Sequence, residues 1–326
     1  MEDHDESDTK TTDYRYQLGG FPAAYAETQA EYMASGKAAE QEKLVAGCPE
    51  YAFNEYLQIG LEQGLVGLAL FIGWLGLLFY KGIKNKRYAC CGGLMSLAIF
   101  AFSSYPLQLP EFWVVLIFLG VMSVTPDKDE IRENQAESNG HRWGKQIFFM
   151  GIAILGIGLF WMQKDHYKAY QQWNKAQMFY NNKAYEAALE VYEPLYPLLK
   201  HKPEFLFEAA QSLSKTGQYE KANEYLERAV LLSSDPMLYY VMAKNEQCLG
   251  EYRQAEKHLL HAIDILPERI YPYYLLMNLY TEPSYFQPAK LKMAIDSVLT
   301  KKPKVESSAI KEMKEKARSM LNNTSI

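Results

Sequence analysis

The sequence has few cysteines, no excess of positive charge and no apolar leader at its start, and each absence argues against one class of protein. Its four cysteines form no CxxC pair, which argues against a disulfide framework and a cysteine-ligated metal centre. A net charge of −5 argues against nucleic acid as a partner. The first sixty residues lack the basic and apolar regions of a signal peptide. We therefore expect no metal, no cofactor and no nucleic acid among the ligands.

Long apolar runs are present, but they are confined to one part of the chain. Four windows contain them: Leu61–Tyr80, Tyr88–Phe102, Phe112–Val124 and Ile147–Met162. A helix needs about 20 apolar residues to cross a bilayer, and shorter runs also occur in buried core helices. Because four runs follow one another so closely, the sequence predicts four transmembrane helices within residues 61–162.

The lysine and arginine residues between these windows predict the orientation of the membrane helices. The first connector contains Lys81, Lys84, Lys86 and Arg87, whereas residues 103–111 contain no basic residue. Residues 125–146 again contain four basic residues, mixed with acidic residues that count for little in orientation. Basic connectors stay in the cytoplasm. The pattern therefore predicts that residues 1–60 and everything after Met162 lie outside the cytoplasm. The acidic composition of residues 1–13 predicts that they are disordered.

An internal repeat follows the last apolar window. Two sets of residues correspond at an offset of 33: Gly217, Tyr219, Ala222 and Ala229 in one, Gly250, Tyr252, Ala255 and Ala262 in the other. At an offset of 34, Phe286, Ala289 and Met293 continue the pattern downstream. This period is typical of tetratricopeptide repeats, in which glycine ends the first helix and alanine lets the second approach closely. The repeats, with a C-terminal capping helix, predict a groove that binds a protein or peptide.

Polar residues recur at helical spacing just before the first apolar window, at Asn54, Glu55, Gln58 and Glu62. Such a stripe at the outer membrane surface could bind a sugar or a lipid headgroup, and the alternative is a polar entry into a membrane helix.

In the repeats, His258 and His261 are three residues apart on one helix. They lack further ligands at metal-site spacing, so we expect a solvated helix face and no metal.

The stretch AFNEYLQIGLEQGLVGLALF, residues 52–71, resembles the end of the large periplasmic loop in the O-antigen ligase and O-antigen polymerase superfamily. The upstream GGF with Tyr25, Gln29 and Tyr32 resembles an earlier part of that loop, and SSYPLQLPEFW (residues 103–113) resembles a later turn. The resemblance implies metal-independent transfer of an undecaprenyl-diphosphate-linked glycan. Phe53 stands where the family has histidine, and the family's N-terminal membrane helices do not precede this loop.

Together these patterns predict an all-α protein: an extracytoplasmic loop remnant at 1–60, four membrane helices at 61–162 and a tetratricopeptide domain at 163–326. The resemblance implies the C-terminal portion of a polysaccharide-biosynthesis enzyme in a bacterial inner membrane, with the repeats in the periplasm. Its expected partners are the bilayer, the lipid-linked glycan and a protein on the repeats. Because the motif histidine is replaced, whether this chain is an enzyme stays open. The alternative is a membrane-anchored tetratricopeptide scaffold that binds envelope proteins.

Overall fold

The computed structural model describes residues 19–125, 163–303 and 305–323, with six single positions at 150, 151, 154, 156, 158 and 161. All regular secondary structure in these ranges is helical, so the predicted all-α class is confirmed for them. The predicted disorder of residues 1–13 and most of the fourth apolar window lie outside the described residues. The chain divides into two compact units, one containing Tyr51–Lys168 and the other containing Pro22–Glu50 and Ala169–Ile326.

Fourteen α-helices are described, together with short 3-10 turns at Pro106–Gln108 and Pro283–Tyr285. The helices, in chain order, are α1 (Phe21–Ala34), α2 (Glu40–Val45), α3 (Glu55–Lys84), α4 (Tyr88–Ser103), α5 (Pro110–Val124), α6 (Lys164–Asn181), α7 (Tyr185–Leu199), α8 (Pro203–Lys215), α9 (Tyr219–Val230), α10 (Met237–Leu249), α11 (Tyr252–Ile265), α12 (Ile270–Leu279), α13 (Pro288–Thr300) and α14 (Ser308–Asn323).

In the first unit, α3, α4 and α5 pack around the buried side chains of Leu78, Leu94 and Leu116. Among the described residues, α3 alone is long and apolar enough to cross a membrane by length and composition. Helices α4 and α5 are apolar but have only 16 and 15 residues. The prediction of four membrane helices is therefore unconfirmed and stays a prediction.

The second unit contains four consecutive helix pairs, α6–α7, α8–α9, α10–α11 and α12–α13, followed by α14. Ala222, Ala229, Ala255 and Ala262 are fully buried where paired helices approach. Gly217 and Gly250 follow α8 and α10 with φ of 82° and 80°, in the left-handed region that favours glycine at a helix end. The predicted tetratricopeptide array is confirmed.

The fourth repeat departs from the predicted register. Phe286 and Met293 are exposed, although the offset of 34 predicts them at packing positions. The residues that α13 buries are Leu291, Ala294, Ile295 and Val298. The turn Pro283–Tyr285 lengthens the connection, so α13 begins only at Pro288 and the offset no longer selects its buried face.

Candidate functional site

The first helices of successive repeats, α6, α8, α10 and α12, together with α14, form one continuous row that we call the first-helix row. Neighbouring members contact each other at α8–α10, α10–α12 and α12–α14, and Trp173 of α6 contacts Glu208 of α8. Tetratricopeptide solenoids use such extended surfaces to bind partners.

On the C-terminal half of this row, two phenol rings of α12 each contact an amine from a neighbouring helix. The Nζ of Lys244 donates to the hydroxyl of Tyr271 at 2.6 Å and lies 5.2 Å from the centre of that ring. In the same way, the Nζ of Lys316 donates to Oδ1 of Asn278 at 2.8 Å and lies 5.3 Å from the centre of the Tyr274 ring. Cation–π contacts of this kind hold rings and ammonium groups in a defined arrangement.

On the N-terminal half of the row, the carboxylate of Glu208 holds the aromatic side chains. It accepts hydrogen bonds from Nε1 of Trp173 at 2.7 Å, Nε2 of Gln177 at 2.8 Å and the hydroxyl of Tyr192 at 3.0 Å. Burial and the neighbouring Glu208 charge raise the pKa of Tyr192, so its hydroxyl remains a donor. The exposed Tyr167 lies farther along α6.

A second carboxylate joins the third and fourth repeats. Glu256 of α11 accepts from the hydroxyls of Tyr280 and Tyr285, each at 2.6 Å, and from the Nζ of Lys290 at 2.7 Å. Burial acts to raise the pKa of Glu256, but the hydrogen bonds from Lys290, Tyr280 and Tyr285 outweigh it and hold the pKa below its usual range.

The N-terminal segment, Pro22–Glu50, packs on the repeats. Ala26 and Ala30 of α1 are buried against Ile265 and Leu266 at the end of α11. Nε2 of Gln29 donates to the backbone oxygen of Ile265 at 2.8 Å and to that of Gly47 at 3.1 Å. These contacts attach α1 to the turn between the third and fourth repeats.

The carboxylate of Glu27 adds a polar contact to this attachment. Its Oε1 lies 3.2 Å from Nε2 of His261 and accepts from the hydroxyl of Tyr239 at 3.5 Å. Burial and the charge of Glu27 raise the pKa of Tyr239.

The residues predicted to bind a glycan or lipid carrier lie in both units. Tyr25, Gln29 and Tyr32 of α1 line one open pocket on the N-terminal segment together with Glu42. The hydroxyl of Tyr32 donates to Oε2 of Glu42 at 2.9 Å, and this hydrogen bond raises the pKa of Tyr32. The other four predicted residues belong to the unit that contains Tyr51–Lys168.

Those four residues make structural hydrogen bonds. Oδ1 of Asn54 accepts from the backbone nitrogen of Leu57 at 3.0 Å and caps α3. The buried carboxylate of Glu55 accepts from the backbone nitrogen of Leu107 at 2.7 Å. Gln58, also buried, accepts from the backbone nitrogen of Ala52 at 2.7 Å and donates to Glu62 at 2.5 Å. The arrangement fixes the start of α3 against the Pro106–Gln108 turn.

The prediction of a solvated face at His258 and His261 is wrong, because both rings are half-buried. Nδ1 of His258 lies 2.8 Å from Oε1 of the buried Glu246, and His261 faces Glu27. Within the described ranges, no cluster of three or more His, Cys, Asp or Glu side chains could hold a metal ion.

Comparison with known proteins finds repeat proteins. The family described as "Anaphase-promoting complex, cyclosome, subunit 3" matches residues 181–262. This chain carries a tetratricopeptide-like array. No curated protein matches the chain.

Three solved structures are similar to part of this chain at low identity. MamA 41-end from Desulfovibrio magneticus RS-1 is 19% identical and has a TM-score of 0.38, with 49% of this chain and 98% of that chain covered. A Podospora anserina putative kinesin light chain with TPR-like repeats is 17% identical, with a TM-score of 0.38 and coverages of 48% and 88%. The Yersinia enterocolitica type III secretion translocator chaperone SycD is 17% identical, with a TM-score of 0.29 and coverages of 47% and 85%.

The predictions of glycosyltransferase chemistry and of a role in polysaccharide biosynthesis are contradicted. The matching family is a family of repeats, and no finding supports a portion of an O-antigen ligase or polymerase. The structure adds a physical reason, because Glu55 and Gln58 are buried and already hydrogen-bonded to the backbone. Polar residues at the start of an apolar helix can produce this sequence pattern without having a catalytic role.

Sequence reasoning overlooked the residues of the first-helix row. Tyr271 and Tyr274 are three positions apart on α12, and Lys244 and Lys316 come from helices far apart in the chain. The abundance of tyrosine, 25 residues in all, is a signal for such a surface. Which tyrosines pair with which lysines depends on how the repeats stack.

Proposed function

We propose that this protein is a membrane-anchored tetratricopeptide scaffold that binds a segment of another protein on its first-helix row. The observation that carries the proposal is the pairing of Lys244 with Tyr271 and of Lys316 with Tyr274 and Asn278 on neighbouring helices. Tyrosine contributes a large contact area at interfaces for a small loss of side-chain entropy. Because these rings are already held by amines, little further ordering accompanies binding.

The anchor is supported by the apolar exterior of the first unit. Leu65, Val66 and Leu70 on α3 expose 82%, 74% and 70% of their surface, and Phe102 of α4 and Val114 of α5 are exposed as well. Contiguous apolar surface of this kind indicates contact with a membrane or a partner.

The backbone of α3 separates its polar and apolar parts. Gly64 has φ of 71° and ψ of −179°, which interrupts the helical conformation between the polar start and the apolar remainder. The remainder, from Leu65 to Lys84, has about 20 residues and a length of about 30 Å, which equals the thickness of the hydrocarbon core.

Site-specific photo-crosslinking in cells tests the scaffold function. A photoreactive phenylalanine derivative at Tyr274 should form a discrete crosslinked product with another protein, because Tyr274 lies on the first-helix row. The same derivative at Leu260, exposed on the second helix of the third repeat, serves as the matched control and should give none. Identical products from both positions would contradict binding on the row.

A charge reversal provides an independent check. Lys244→Glu should abolish the product formed from Tyr274, because it replaces the cation–π contact with Tyr271 by an acidic group. Arg253→Glu makes a similar reversal on an exposed position of α11 and should leave the product unchanged.

A further inference from the structure

A cavity of about 190 Å³ lies beside the turn between the third and fourth repeats, and we call it the turn pocket. Its walls come from the N-terminal segment, the turn itself, the start of α12, Pro303 and Val305 before α14, and α14. Leu266, Ile270, Ile310 and Met313 are among its apolar lining residues. A dry cavity of about 150 Å³ lined by such side chains holds one benzene molecule. The turn pocket therefore accommodates one large apolar side chain.

The charged residues that line the pocket leave one cation available. Lys43 pairs with Glu40 at 2.8 Å, and Glu268 pairs with Lys301 at 2.9 Å. Arg269 is exposed and forms no ion pair with another described residue. A guanidinium binds a carboxylate through two parallel hydrogen bonds, which makes a carboxylate the complementary group.

We propose that the turn pocket binds the C-terminal residue of a partner polypeptide whose last side chain is apolar. In such a residue the apolar side chain and the carboxylate are attached to the same carbon atom, so a compact cavity with a cation among its lining residues engages both. An acidic side chain next to an internal apolar residue would instead need a second, separate subsite. The small cavity and the available Arg269 together favour the chain terminus.

The pocket is continuous with the proposed binding surface. Tyr271 lines the pocket and also accepts the hydrogen bond from Lys244 on the first-helix row. A polypeptide whose last residue occupies the pocket reaches the row directly. This inference rests on the proposed scaffold function and specifies which part of the partner is recognised.

The experiment uses the full chain in lipid nanodiscs and an immobilised library of decapeptides. Nine positions are randomised, each of the twenty amino acids occupies the last position, and every peptide is made as the free acid and as the C-terminal amide. We expect enrichment of Leu, Ile, Met and Phe at the last position among free acids. The corresponding amides should bind at least about ten-fold more weakly, because they lose the charge-assisted hydrogen bonds.

Two variants and one control locate the binding site. Arg269→Gln should weaken binding of the free acids about ten-fold or more and leave the amides unchanged. Met313→Trp should fill the cavity and weaken binding of both forms. Arg253→Gln, the same substitution at an exposed position of α11, should have no effect. Because Arg269 is exposed, its replacement leaves the packed core intact.

Several results would overturn the assignment of the pocket. These are a library without preference at the last position, equal binding of acids and amides, or equal effects of Arg269→Gln and Arg253→Gln. If peptides bind in a manner that depends on Lys244 and not on Arg269, the scaffold function stands and the pocket assignment is wrong. If the pocket variants behave as expected but Tyr274 forms no crosslink in cells, binding on the row is wrong and the pocket stands.

Discussion

At the scale of single residues, the carboxylate of Glu256 connects two repeats and makes their packing depend on pH. Its pKa is lowered in the folded protein, so its contribution to stability is present above the ordinary carboxyl pKa of 4.5 and is lost as the pH falls through the folded value. Its three partners all belong to the fourth repeat or to the turn after α12. Protonation of Glu256 should therefore loosen the fourth repeat from the third.

Glu256→Gln should destabilise the contact between α11 and α13 by about 1–3 kcal/mol at pH 7, because a charged acceptor of three hydrogen bonds is lost. The difference from the parent protein should shrink as the pH falls below the ordinary carboxyl pKa of 4.5 and through the lower pKa of folded Glu256. Hydrogen exchange of the amides in α11 and α13 measures this local opening. Glu227→Gln, at an exposed position of α9, is the control. If acid increases hydrogen exchange in α11 and α13 of Glu256→Gln as much as in the parent protein, Glu256 does not make the packing of these repeats depend on pH.

Gly250 ends α10 with φ of 80°, a conformation that disfavours any residue with a β-carbon. Gly250→Ala should destabilise the third repeat by about 1–2 kcal/mol even though nothing lies within 4 Å of the added carbon. Gly47→Ala makes the same change in open space without a positive φ and should be neutral. Faster hydrogen exchange in α10 and α11 of Gly250→Ala alone is the expected result. Equal exchange in both variants would argue against backbone strain as the cause.

At the scale of helices, the sequence predicts the parts of the fold that depend on local repetition. Ala222 and Ala255 occur at equivalent positions, and both are buried as a repeating helix pair requires. The same extrapolation fails at Met293, because an irregular turn changes the start of α13. The role of Glu55 was not predictable, because its partner Leu107 is 52 residues away. Gln29 and Ile265 are 236 residues apart, so no local pattern links them.

The packing of α1 on the repeats leads to a prediction about isolated parts. Residues 163–326 should fold alone, because each repeat buries its core against its neighbours. They should nevertheless be stabilised by a synthetic peptide of residues 21–50, which covers Ile265 and Leu266. At a peptide concentration of 100 times Kd, the gain should be about 2.7 kcal/mol. Thermal unfolding followed by circular dichroism measures it as an increase in Tm.

The specificity of that stabilisation can be tested on α1 itself. Ala30→Glu introduces a charge where the peptide contacts Leu266 and should remove the effect on Tm. Thr28→Glu introduces the same group on the exposed side of α1 and should preserve the effect. If both peptides stabilise the repeats equally, α1 does not bind through Ala26 and Ala30.

At the scale of the whole molecule, the chain combines an apolar helical unit with a helical-repeat unit, and it passes between them at Glu50–Tyr51 and again at Lys168–Ala169. The N-terminal segment precedes α3 in the chain but packs with the repeats that follow it. The repeat unit is therefore built from two stretches of chain on either side of the apolar helices. Under the proposed membrane anchoring, both stretches must lie on the same side of the membrane. An even number of crossings between Glu50 and Ala169 satisfies this condition.

The orientation of the apolar helices gives the last prediction. The first connector carries Lys81, Lys84, Lys86 and Arg87, and positive charge near the end of a membrane helix is retained in the cytoplasm. An alkaline phosphatase reporter fused at Asn85 should therefore be inactive, and one fused after Gln163 should be active. Replacing the four basic residues with glutamine should raise the activity of the Asn85 fusion, because the charge that holds the connector inside is gone. Activity at Asn85 together with silence after Gln163 would place the repeats in the cytoplasm, and the scaffold would then have to find its partner there.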